Sequence, residues 1–145
     1  MIREINSHDR EIFTTMVQEF YQSEAVLHEI PASRIHRTFQ EVVSSSPYAK
    51  AYILEDAERI AGYALISLTY SNEVGGMVVW IEELYLRQQW QGRGLGSEFL
   101  DFIRHEFPAA KRFRLEVTET NKRAQELYLH KGYKLLNYQQ MTLDV

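Results

Sequence analysis

The segment Trp80–Ser97, reading WIEELYLRQQWQGRGLGS, constrains this chain more than any other part of it. Trp80, Ile81, Leu84, Tyr85 and Leu86 give it the bulky and aromatic content of a strand. The polar run Arg87-Gln88-Gln89 breaks that strand, and Gly92, Gly94 and Gly96 follow close together. Leu95, Phe99, Phe102 and Ile103 then recur at helical spacing. A strand feeding a glycine-rich turn that opens a helix is a physical device for holding phosphate. The first amides of a helix have no internal partner, its dipole is positive at that end, and glycine lets backbone approach a ligand closely.

Spacing decides among the phosphate loops. A dinucleotide fingerprint needs G-x-G-x-x-G, and neither Gly92 nor Gly94 as a start supplies the third glycine. A Walker loop needs a terminal G-K-[ST], which is absent. The pattern present is Gln91-x-x-Gly94-x-Gly96, just past the strand end at Leu86. It resembles the pyrophosphate loop Q/R-x-x-G-x-G/A of the GNAT superfamily of acetyl-CoA-dependent N-acetyltransferases. The plain alternative is a flexible turn with no ligand, against which the strand before and the helix after both weigh. A second GNAT-like motif, N-x-x-A-x-x-L-Y-x-x-x-G-Y/F, is met by Asn121, Ala124, Leu127, Tyr128, Gly132 and Tyr133. Both motifs lie within residues 80–133, while the order of elements agrees with the GNAT fold along essentially the whole chain.

At 145 residues the chain reads as one domain over 1–145, large enough to bury its own core. The absence of cysteine removes disulfides, thiolate catalysis and Cys-type zinc sites. His8, His28, His36, His105 and His130 have no metal-ligand spacing, so no metal is expected. A net charge of −4 argues against nucleic acid and suits a cationic substrate. No run approaches the roughly 18 apolar residues of a membrane span. With no basic and apolar leader at Met1, a cytoplasmic location is the expectation.

Residues 1–5 alternate as a short strand, and Asn6 or Ser7 caps a helix with Ile12, Phe13, Met16, Val17 and Phe20 inside. Residues 22–33 read as a loop or broken helix. A second helix starts at Ser33, buries Ile35, Phe39, Val42 and Val43, and stops at Ser44–Pro47. Strands follow at 51–54, at 60–70 with a bulge at Gly62, and from Met77 to the glycine loop, as an antiparallel meander. A helix over 92–106 and a strand over 113–117 imply a parallel neighbour. The helix capped by Asn121 ends at Gly132, and Tyr133–Leu136 with Met141–Val145 read as a final hairpin. The expected class is α/β: a mixed, mostly antiparallel sheet of about six to seven strands flanked by four helices.

The resemblance implies roles. Coenzyme A would meet the amides of Gln91, Gly92, Gly94, Leu95, Gly96 and Ser97, with Arg93 adding charge and Asn121, Ala124 and Tyr128 flanking the arm. Leu84, Tyr85 and Leu86 would pair with that arm like another strand, which requires the sheet to open there, and the strand at 113–117 would diverge. The amide of Leu84 then aims at the acetyl carbonyl, where one such donor is worth roughly 10²–10³ in rate. Diamine acetyltransferases carry L-E-D before this strand end, which maps the general base onto Glu82. Glu82 and Glu83 also read as acids that merely pair with basic side chains, and strand alternation sends them to opposite faces. Tyr128 is the implied acid for the leaving thiolate, or else packs with Ala124 and Leu127. Tyr21, Glu24 and His28 are candidate acceptor contacts, with Glu29 and Glu73 as further acids, against a reading as solvated surface. The expected function is direct acetyl transfer from acetyl-CoA to a primary amine, a small molecule, in a ternary complex. The alternatives are a protein lysine or N-terminal acetyltransferase and a non-catalytic acyl-CoA-binding module. An exposed C-terminal strand would suit a homodimer.

Overall fold

Apolar alternation in the middle of the chain yields three long strands, and these carry the sheet. The computed structural model describes residues 1–145. In chain order the elements are β1 (Ile2–Glu4), α1 (Arg10–Tyr21), α2 (Ala32–Val43), β2 (Ala49–Asp56), β3 (Arg59–Ser71), β4 (Gly76–Leu86), α3 (Leu95–Glu106), β5 (Arg112–Leu115) and α4 (Lys122–His130). The sheet runs β1-β2-β3-β4-β5, antiparallel except for the parallel pair of β4 and β5. The mixed, mostly antiparallel sheet with four helices is as expected, but it has five strands. Residues 133–145 form no hairpin, and Leu135, Met141 and Leu143 stay exposed. Their alternation suits a strand, yet a strand exists only where a neighbouring edge takes its hydrogen bonds.

Helices cover both faces of the sheet. Phe13, Met16, Val17 and Phe20 of α1 and Ile35, Phe39 and Val42 of α2 pack on Ala51, Ile53 and Tyr63. Phe99, Leu100 and Ile103 of α3 pack on Tyr52, Leu54, Ala64, Ile66, Val79 and Ile81 of the other face. The helix over 92–106 begins at Leu95, because Gly92 and Gly94 have left-handed φ values of 76° and 85° and form the turn before it. The caps follow the local rules. The Asn6 side chain accepts from His8 N–H while Asp9 accepts from Asn6 N–H, and Asn121 accepts from Ala124 N–H at 3.3 Å.

Asp9 is buried and takes two hydrogen bonds from the Arg3 guanidinium, each 2.9 Å, while Arg3 also reaches Glu55. Burial alone would raise the Asp9 pKa, but the Arg3 bonds and the Asn6 amide outweigh it and hold the carboxyl below its usual range. A depressed carboxylate stabilises the fold above the unfolded value, about 3.9, and that stability is lost as pH falls through the lower folded value. Arg3→Ala is expected to cost about 2 kcal/mol at pH 7, by leaving a buried charge without its partner. Thermal melts at pH 7 and below pH 4 check this: the loss should be largest at neutral pH and shrink in acid.

Candidate active site

Two irregularities in β4 build the site. The first is a bulge: Leu65 of β3 pairs with Glu83 and Ile66 with Ile81, so Glu82 is the extra residue. Alternation therefore resets in mid-strand. Val79 and Ile81 face α3, and after the bulge Leu84 and Leu86 face it again. Glu82 and Glu83 were expected on opposite faces; the bulge instead turns both toward α1 and α2. Ser67 Oγ donates to Glu82 Oε1 at 2.6 Å, and Tyr21 and Tyr63 hydroxyls donate to Glu83 at 2.5 and 2.8 Å.

The second irregularity is the opening of the sheet. β4 pairs with β5 only over Val78–Ile81, and β5 ends at Leu115 opposite Ile81. The expected divergence is there, with the strand ending two residues earlier than Val117. Arg87 N–H donates to Ala61 on β3, so Tyr85 and Glu83 share that side of the ladder. Leu84 and Leu86 consequently turn their peptide groups toward the gap. The carbonyl of Leu86 is taken by Gln91, whose Nε2 donates to it at 2.9 Å. That contact explains why the glutamine stands where it does after the strand.

Past Gln91 the backbone presents donors. From Gly92 through Ser97 no N–H donates to an acceptor in the protein; the first bond of the helix is Glu98 N–H to Gly94 at 2.9 Å. Gly92 is closed in by Arg123 of α4: a Cβ there would sit 2.8 Å from the guanidinium, which also donates to Gln91 Oε1 at 3.4 Å. Free amides, a helix start and a guanidinium are the chemistry of a diphosphate site, so the donor set fits coenzyme A. A cleft of about 460 Å³ runs from this loop along the open edge of β4. Its walls include Leu84, Tyr85, Leu86, Gln91, Gly92, Gly94, Leu95, Gly96, Ser97, Asn121, Ala124 and Tyr128. Every residue expected at the coenzyme lines it except Arg93, which turns outward to Asp56 at 3.5 Å.

Arg123, Ser23 and Ala25, which the sequence did not single out, also line this cleft, as do Leu127 of the second motif and Phe20, expected only in the core. Arg123 had a signal, standing one residue before Ala124 in a motif already recognised. Ser23 and Ala25 had none, because they depend on where the loop after Tyr21 returns. Glu24 lies in this cleft. His28 is exposed and lines neither cleft.

Tyr128 reaches the same cleft from α4, with its ring 6.0 Å from that of Tyr133. Burial pushes its hydroxyl up to about 12, so it remains protonated at neutral pH. Against α1 and α2 a second cleft of about 560 Å³ is lined by Tyr21, Ser67, Glu82 and Glu83 and by the α2 residues Arg34, Arg37, Thr38 and Glu41. Burial raises the Glu83 carboxyl, against the two tyrosine hydroxyls that lower it.

The pattern of the acetyltransferase (GNAT) family matches residues 8–133. The chain belongs to that family. Acetyl-CoA is accordingly its acetyl donor and N-acetyl transfer its activity. Among relatives, the mouse thialysine N-epsilon-acetyltransferase is 24% identical over 151 residues, covering 97% of this chain and 85% of that protein. The Bacillus subtilis spermine/spermidine N(1)-acetyltransferase is 28% identical over 100 residues, covering 56% of this chain and 66% of that protein. The structure of AAC(6')-Iy with the bisubstrate analogue CoA-S-monomethyl-acetylneamine superposes with a TM-score of 0.76 at 14% identity, covering 98% of each chain. A ribosomal-protein-alanine N-acetyltransferase from Brucella melitensis superposes with a TM-score of 0.79 at 12% identity, covering 100% of this chain and 98% of that one. Enzymes named for small and for protein acceptors thus share the GNAT fold, and the acceptor must be argued from the second cleft.

Proposed function

We propose that this GNAT enzyme acetylates the primary amine of a small molecule by direct attack in a ternary complex. The observation that carries the reading is the approach of two clefts to β4 residues 82–86, one along the open edge of the strand and one from its α1–α2 side. One brings phosphate-binding amides and the other brings carboxylates. Acetyl-CoA, when bound, supplies an acetyl thioester on which the amine forms an N–C bond as the C–S bond breaks.

The chain's own groups do the rest. The amides from Gly92 through Ser97, with Arg123, hold the diphosphate, and the Leu84 peptide group and the Leu86 N–H in the gap orient the arm. The Leu84 N–H donates to the acetyl oxygen. Glu82 is exposed in the second cleft, and Ser67 occupies only one of its oxygens, so the other is open to an incoming ammonium. It takes the proton that the amine must lose. Glu83, with both oxygens engaged by tyrosines, fixes α1 against β3 and β4. The Tyr128 hydroxyl donates its proton to the leaving sulfur. No cysteine exists to carry an acetyl group in between.

Thiol release from acetyl-CoA, followed across a panel of small amines and peptides with mass-spectrometric product detection, tests the reading. Turnover on small amines is expected; turnover on peptides alone would sink it. Tyr128→Phe should lower kcat by roughly 10²-fold, the lower end of the range for general acid catalysis. Coenzyme A affinity by calorimetry should hardly change, because the ring contacts remain. Equal kcat in the two proteins would reduce Tyr128 to packing.

A further inference from the structure

The α2 wall of the second cleft carries a feature that a generic amine does not require. Arg34, Arg37, Thr38 and Glu41 recur at helical spacing and line the cleft, while Ile35, Phe39 and Val42 of the same helix go into the core. Arg34 and Arg37 are exposed and have no ion-pair partner. Most other arginines are engaged. Arg3, Arg87, Arg93 and Arg112 pair with carboxylates, and Arg10, Arg59 and Arg114 lie over aromatic rings. The second cleft therefore has two free guanidinium groups beside Glu41 on the α2 wall and two carboxylates on its β4 wall.

From this polarity we infer that the acceptor is an α-amino acid with an amine on its side chain, a lysine-like molecule. Its carboxylate is held by Arg34 and Arg37, its α-ammonium faces Glu41, and its terminal amine reaches Glu82. This deepens the reading of the second cleft as the acceptor site and rests on it. Guanidinium presents paired donors that match a carboxylate. A polyamine, by contrast, is cationic along its length, and two unpaired arginines on the wall would repel it; like charges set against a competing ligand are a means of selection. Of the acceptors named for the relatives, thialysine has the carboxylate that this wall would hold, and spermine and spermidine have none.

Lysine and cadaverine make a matched pair, since cadaverine is lysine without its carboxylate. With acetyl-CoA saturating, kcat/KM for lysine or thialysine is expected to exceed that for cadaverine by roughly 10- to 100-fold, the range of charge-assisted hydrogen bonds. The double variant Arg34→Gln/Arg37→Gln should raise KM for lysine and draw the lysine-to-cadaverine ratio toward one. Arg34→Lys/Arg37→Lys should retain part of the preference. A melting curve confirms folding, and either single Gln variant gives the same readout if the double variant fails to fold. Equal use of lysine and cadaverine, a preference for spermidine, or a ratio unmoved by the Gln variants overturns this inference and leaves the small-amine reading standing. Acetylation of none of these amines overturns this inference, and the small-amine reading falls with it only if the rest of the small-amine panel also fails.

Discussion

Glu82→Gln is expected to lower kcat by roughly 10²–10⁴, the usual worth of a positioned general base. The amine to be acetylated is protonated at neutral pH, with an unperturbed pKa of about 10.4 if lysine-like, so it needs a proton acceptor before it attacks. Gln fills the same volume and still accepts from Ser67, but it cannot take that proton. The variant should therefore work only on amine that solvent has already deprotonated, and its rate should climb with pH toward the pKa of the amine. Coenzyme A binding, whose cleft Glu82 does not line, should stay within about twofold, since it loses no charge-assisted contact. Rate profiles for both proteins from pH 6 to 10 check this.

Glu83→Gln supplies the contrast. The raised Glu83 carboxyl means that its ionisation opposes folding: that stability is fully present below the unfolded carboxylate pKa and is lost as pH rises through the folded one. Removing the ionisation relieves that cost at neutral pH but leaves one oxygen to accept from two tyrosines, so the variant's stability should depend less on pH than the parent's. If Glu83→Gln instead abolishes the rate and Glu82→Gln leaves the profile unchanged, the base is Glu83, and the tyrosines around it are tuning its basicity.

The parts of the site that were legible in the sequence are those set by local backbone chemistry. A glycine loop at a helix start, a glutamine within reach of the strand's last carbonyl and an asparagine cap each act over a few residues, and each has a residue-type signature. The bulge at Glu82 does not. It arises from matching β4 to β3 while the sheet opens on the other side, and two adjacent glutamates look the same with or without it. The arginines of α2 were visible only as the polar side of an amphipathic helix, because nothing local says that this side faces a cleft. Residues 133–145 were expected to form a hairpin on the strength of local alternation alone, but they pair with neither outer edge of the sheet, and which segment reaches an edge is set by tertiary placement.

Gly62→Ala is expected to be the most destabilising single methyl that can be added to this sheet. Gly62 pairs with Leu86, and a Cβ built on it would lie 2.0 Å from the Tyr85 carbonyl oxygen. The obstacle is backbone, so no rotamer change can relieve it. β3 and β4 must separate where Arg87 N–H donates to Ala61, at the site of the irregular β2–β3 register expected from Gly62. A cost of roughly 3 kcal/mol or more is expected, which for a chain of this size lowers the melting temperature by roughly 6–12 °C. Gly75→Ala is the control: its φ of 66° strains any side chain, yet nothing lies within 4 Å of the added atom. Left-handed strain alone should cost about 1–2 kcal/mol. The two variants also part on function. Separation at Gly62 moves Tyr85 and Leu86, so Gly62→Ala should weaken coenzyme A binding even well below its melting temperature, while Gly75→Ala, in the turn at the far end of β4, should not. A Gly62→Ala protein with parental coenzyme A affinity would mean that the open edge at Leu84–Leu86 is not where the coenzyme's arm binds.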